Sequence, residues 1–112
     1  MSDTDQSMLE SELLIYVSEL ENPTKHGYSD AFEYLENCLD IRGGYDHQRG
    51  EDNDVKIQRT TGGPNITIIV SHDTDEIRID GSWGLSSRAS MNAHDNIGLK
   101  SLLEQMGRIH YA

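Results

Sequence analysis

The chain of 112 residues has one cysteine and a single base before Arg42, and no apolar run approaches the ~20 residues of a membrane span. Each shortage excludes something. With Cys38 alone there is no internal disulfide framework. Without a long apolar run there is no membrane helix to predict. The start, Met1-Ser2-Asp3-Thr4-Asp5, is acidic and polar, the opposite of a secretion signal's basic opening. The expectation is a cytoplasmic protein of microbial or viral type, in the host cytoplasm if viral.

Catalytic and metal motifs are missing too. His26, His47, His72, His94 and His110 fall in five separate segments, none paired at the i,i+3 or i,i+4 spacing that sets two ligands on one helix face. No C-x-x-C accompanies Cys38, which on an apolar helix face acts as a small hydrophobe. Gly43-Gly44 and Gly62-Gly63 sit in neither phosphate-loop frame, and no serine sits in a nucleophile elbow. Glu51-Asp52-Asn53-Asp54 and Asp73-Thr74-Asp75-Glu76 lack the alternating ligands, central glycine and closing glutamate of a calcium loop, and read as a solvated loop and a solvated turn. The reading is no cofactor, no metal and no enzyme. A weaker alternative keeps a small enzyme, if Trp83 and His94 converge at one end of a sheet.

What the chain does have is acid, unevenly placed. Residues 1–54 hold fourteen acids against three bases, whereas residues 55–112 hold six of each, so the whole net charge of −11 belongs to the first part. A field this lopsided steers encounters with basic partners and repels polyanions, which argues against direct nucleic-acid binding. Acidic chains with more Arg than Lys also occur in salt-loving organisms. Two features weigh against that source here: the acid is not spread along the chain, and Ile outnumbers Val ten to three.

The apolar residues come in patterned blocks, which predicts one folded α+β domain over 1–112 with a short tail at 1–6. Leu9, Leu13, Val17 and Leu20 give a helix over 7–21, opened by Ser7 and Glu10 as a capping box and closed before Pro23. Ala31, Phe32, Leu35, Cys38 and Leu39 give a second helix over 30–40, capped by Ser29 or Asp30 and paired with the first as a hairpin. A polar loop spans 42–54. Alternating residues predict strands at 55–61, 66–72 and 77–83, the last closed by Trp83 as a core aromatic. A polar segment, 84–94, leads to a helix over 96–110 that lies on the sheet, capped by Asp95 or Asn96. The expected order is ααβββα, with Leu13, Val17, Leu35, Ile68, Val70, Ile79, Leu99, Leu103 and Met106 in the core.

Ordinary surface helices mix both signs, because opposite charges at i,i+4 stabilise them. Here Glu12, Glu19, Glu33 and Glu36 have almost no nearby base. Together with Asp40, Tyr45, Asp46, Glu51, Asp52 and Asp54 they form the expected partner-binding surface. The resemblance is one of charge and size alone, to small acidic inhibitors, immunity proteins and DNA-mimic proteins. It implies docking onto a basic protein partner, such as the phosphate-binding channel of a nucleic-acid enzyme. The alternative is a homo-oligomeric structural, adaptor or chaperone-like assembly protein that uses a sheet edge or the apolar side of the last helix.

Overall fold

In the computed structural model, residues 3–74, 76–84 and 87–109 are described, with side chains from Gln6 onward. Helix α1 (Asp3–Glu21) is followed by a short 3-10 helix (Pro23–His26) and α2 (Ala31–Glu36). Strands β1 (Asp40–Gly43), β2 (Val55–Thr60), β3 (Asn65–Val70), β4 (Ile77–Trp83) and β5 (Ser87–Ala93) come next, and α3 (Leu99–Gln105) closes the order. The five strands form one antiparallel meander in sequence order. The class is α+β, as expected, but with five strands rather than three.

Both extra strands lie at the edges. β1 occupies residues assigned above to the second helix and the 42–54 loop, so α2 ends at Glu36, well short of residue 40. β5 occupies most of the segment read as a polar connection. Residues 3–6, expected as a tail, belong to α1, which places Ser7 inside the helix rather than at its cap. Residues 1 and 2 lie outside the described residues, as does position 110 of the expected last helix.

The helices share one face of the sheet. α1 packs across β4 and β5, burying Leu9, Leu13 and Leu20 completely. Its close approach depends on Gly81: a Cβ there would sit 2.9 Å from Leu13 Cδ2 and 3.0 Å from Leu9 Cδ1. Register sets Ile57, Ile68, Ile79 and Met91 side by side on this inner face, with Val55, Val70, Ile77 and Ala93 in the next row. Ala31 and Tyr34 of α2 and Leu99 and Leu103 of α3 complete a single core.

α2 approaches α3 rather than running along α1, so the expected helical hairpin does not form. Asp30 caps α2 through Glu33 N at 2.8 Å. Asp95 caps α3 by accepting from Leu99 N and Lys100 N. The covering role expected of the last helix falls to α1. Met106, predicted in the core, is 49% exposed, because α3 ends at Gln105 and its stripe stops at Leu103. No helix among the described residues is long and apolar enough to cross a membrane.

Candidate functional site

Residues 44–54 are the tip of the β1–β2 hairpin, and their own chemistry fixes them. Gly44 N donates to Asp54 O, Asp46 N to Glu51 O and Gly50 N to Asp46 O. The Asp46 carboxylate accepts from Gln48 N and Arg49 N, a local turn that short acidic side chains favour. Tyr45 N donates to Arg108 O at 2.7 Å, and the Tyr45 ring packs edge-on against His47, whose Nε2 lies 3.2 Å from Gly107 O. Tyr45 therefore anchors the tip to the chain's last described segment.

Antiparallel pairing returns β3 to the same end of the sheet, so the β3–β4 turn stands beside this tip. His72 bridges the two: its N and Nδ1 both meet Asp54 Oδ1, at 3.1 and 2.7 Å. These bonds hold the Asp54 carboxyl below its ordinary range, and the Asp54 hydrogen bond raises the His72 imidazole above its own. Asp73 completes the group, with one ligand-type atom from each of Asp54, His72 and Asp73 lying within 4.8 Å of the others. These three are the described residues that would admit a cation. Spacing along the sequence could not find them, because eighteen residues separate Asp54 from His72.

The end of the sheet thus presents Asp46, Glu51, Asp52, Asp54 and Asp73. Asp73 comes from the part of the chain without net charge, so a division of charge along the sequence is not a division in space. Two bases of residues 55–112 reach this end, Arg108 donating to Gly43 O at the foot of the tip and Lys100 to Thr74 O in the turn, while others lie elsewhere. Lys56, Arg78 and Arg88 lie on the outer sheet face, opposite the helices, as the register requires. Arg78 holds Asp80 there at 2.9 Å. Asp40 sits on this face too, paired with Arg42 at 2.9 Å.

The helical acids divide. Glu36 is exposed and Glu12 partly so. Glu33 accepts from Ser29 N and Oγ at the start of α2, a reciprocal cap. Glu19, expected at the partner surface, is only 7% exposed. It accepts from Tyr34 Oη at 3.0 Å and pairs with Arg59 Nε at 3.4 Å. Arg59 follows Val55 and Ile57 on the inner face, toward the helices, at a register shift that sets Thr60 opposite Ile66. There it also donates to Asn37 O and Tyr28 Oη and packs against the faces of Tyr16 and Tyr34. Burial, then Glu19, pushes the Tyr34 phenol far up. Burial opposes the Arg59 charge, but Glu19 and the phenols outweigh it and keep it cationic. Burial also lifts the nearby Cys38 thiol to about 11, so it is an inert packing group. This network is structural, and Glu19 leaves the docking surface.

Trp83 and His94 do not meet. Trp83 pairs with Ser87 at one end of β5, whereas His94 follows Ala93 at the other, roughly 20 Å along the strand. Trp83 is half-buried at its end of β4. No protein-family model matches this chain, and it has no significant similarity to a curated protein or to a solved structure.

Proposed function

We propose that this is a small binding protein that offers the acidic end of its sheet to a basic surface on another protein. The observation that carries the reading is the convergence of Asp46, Glu51, Asp52, Asp54 and Asp73 on one rigid tip and turn. Arg49 in the tip, Arg108 at Gly43 O and Lys100 at Thr74 O offset only part of this charge, Arg59 is spent on Glu19, and Lys56, Arg78 and Arg88 lie on the outer sheet face. A preformed tip loses little conformational freedom on docking. Carboxylates held at fixed spacing suit a surface built to receive phosphates, so a nucleic-acid enzyme is the favoured class of partner. Glu36 and Glu12 would add long-range attraction rather than contact.

The test is capture from host lysate with the wild-type chain and with an Asp52→Asn, Asp54→Asn, Asp73→Asn variant, at low and high salt. The reading expects a basic partner retained by wild type at low salt, released at high salt and lost with the variant. A partner held equally by both proteins, with no salt dependence, contradicts it.

A further inference from the structure

The two edges of the sheet differ in length, four residues in β1 and seven in β5. Of the outward residues of β1, Ile41 and Gly43, the Gly43 carbonyl accepts from Arg108 Nη1 at 3.4 Å. On β5 the ladder's alternation settles which groups are free. Ser71 N donates to Glu76 O, so the bond-exchanging pairs of β3 and β4 run through Ile69 with Arg78 and Thr67 with Asp80. The residues between, Ile77, Ile79, Gly81 and Trp83, turn to β5 and meet Ala93, Met91, Ala89 and Ser87. Arg88, Ser90 and Asn92 therefore point their N–H and C=O groups away from the sheet. Gln6 Nε2, which reaches Arg88 O at 2.9 Å from outside, agrees with that direction. Nothing else among the described residues meets these groups.

We propose that β5 is a dimerisation edge, paired antiparallel with the β5 of a second copy about a two-fold axis through Ser90. The occupant follows from self-complementarity. Ser90 would exchange two bonds with its counterpart, and Arg88, once Gln6 Nε2 yields its carbonyl, would exchange two with the second copy's Asn92 on each side of the axis, about six in all. Arg88 is the strand's sole charge and falls opposite an asparagine, so no like charges meet. On the inner side Met91 faces Ala89 and Ala93 faces Ser87, so each larger group meets a small one. Gln6, Glu10 and Leu14 form one i,i+4 ridge of α1, and Gln6 already touches this edge, so the ridge faces it. Leu14 on that ridge is 58% exposed and would be covered by the second copy. An edge of seven residues, without proline, lysine or acid and met only by Gln6 among the described residues, is otherwise an aggregation hazard.

Sedimentation of the full chain over a concentration series tests this, with Asn92→Lys and Asn92→Glu as variants. Asn92 is exposed and lends no main-chain bond to β4. In the proposed register Asn92→Lys faces Arg88 twice per dimer and weakens it roughly three- to tenfold, whereas Asn92→Glu tightens it by a similar factor. Net charge alone predicts the reverse, since the first lowers the repulsion between two chains of −11 and the second raises it. Amide exchange in the wild type needs no variant: Arg88, Ser90 and Asn92 should slow as protein concentration rises. A monomer at every concentration, exchange independent of concentration, or variant effects that follow net charge would each overturn the proposal. So would β5 amides protected only by an added extended peptide, which would make the edge a site for a foreign strand.

Discussion

Breaking the Glu19–Arg59 pair should cost more than any other loss of acid in this chain. Glu19 and Arg59 side chains are 9% and 13% exposed, so removing one leaves the other charge largely away from water. Breaking such a pair costs ~3–5 kcal/mol in general. Here the Nε–Oε1 contact is long at 3.4 Å, and Arg59 keeps the Asn37 carbonyl, the Tyr28 hydroxyl and two ring faces. Glu19→Ala should therefore fall near the lower figure, about 3 kcal/mol. Glu19→Gln retains an acceptor for Tyr34 Oη and should cost about 1–2 kcal/mol. Arg59→Met strands the carboxylate and gives up packing on Tyr16 and Tyr34, so it should match or exceed Glu19→Ala. The double variant should cost less than the sum by ~1–3 kcal/mol. Urea unfolding at unchanged m value measures all four. Single costs below ~0.5 kcal/mol, the range of ordinary surface changes, would refute the reasoning, as would strict additivity.

Three further outcomes follow from the packing and the ion pairs. Leu103→Ala should lose ~2–5 kcal/mol, and Met106→Ala, on the same helical stripe but exposed, well under 1; equal melting shifts would contradict the observed end of α3. Gly81→Ala should destabilise by ~1–3 kcal/mol, since its methyl meets Leu9 and Leu13; a more stable variant would show that α1 is seated more loosely. The His72 pKa is raised, so its contribution is complete below the free imidazole value of ~6.5 and is lost as pH rises through the raised value. The Asp54 pKa is lowered, so its contribution is complete above the free carboxyl value of ~3.9 and is lost as pH falls through the lowered value. Asp54→Asn should return the His72 titration, followed by NMR, toward the ordinary value, and an unmoved titration would show that Asp54 is not its cause.

The central layer was legible in the sequence because its residues alternate strongly. Val55 and Ile57, Ile66 to Val70, and Ile77 and Ile79 announce β2, β3 and β4, and the Leu9–Leu13–Leu20 stripe announces α1. The edge strands were not legible, for a physical reason: an edge strand can rest on one neighbour and carry little apolar weight. β1 offers Ile41 alone, and β5 offers Ala89, Met91 and Ala93 among polar residues, a pattern that reads as a loop. The helical face that runs through Phe32 and Leu35 hides Tyr34 from a pattern reading, yet Phe32 is exposed and Tyr34 is wholly buried. Of the acidic residues, Asp46, Glu51, Asp52 and Asp54 share one tip as the continuous run suggested. Glu19 was misplaced because a buried ion pair forty residues apart leaves no local signal. Asp73 was missed for the same reason, since its place beside Asp54 follows from the strand order alone.

The most direct test of the acidic-end reading is the association rate with a captured basic partner, measured over a range of ionic strength. Three proteins enter: the wild type; Asp52→Asn with Asp54→Asn and Asp73→Asn; and Glu12→Gln with Glu33→Gln and Glu36→Gln, Glu19 being left in place to preserve the fold. The account predicts a steep fall of the wild-type rate with salt, a slower and much flatter response for the tip variant, and a smaller change for the helix variant. A tip variant that associates at the wild-type rate at low ionic strength would contradict it.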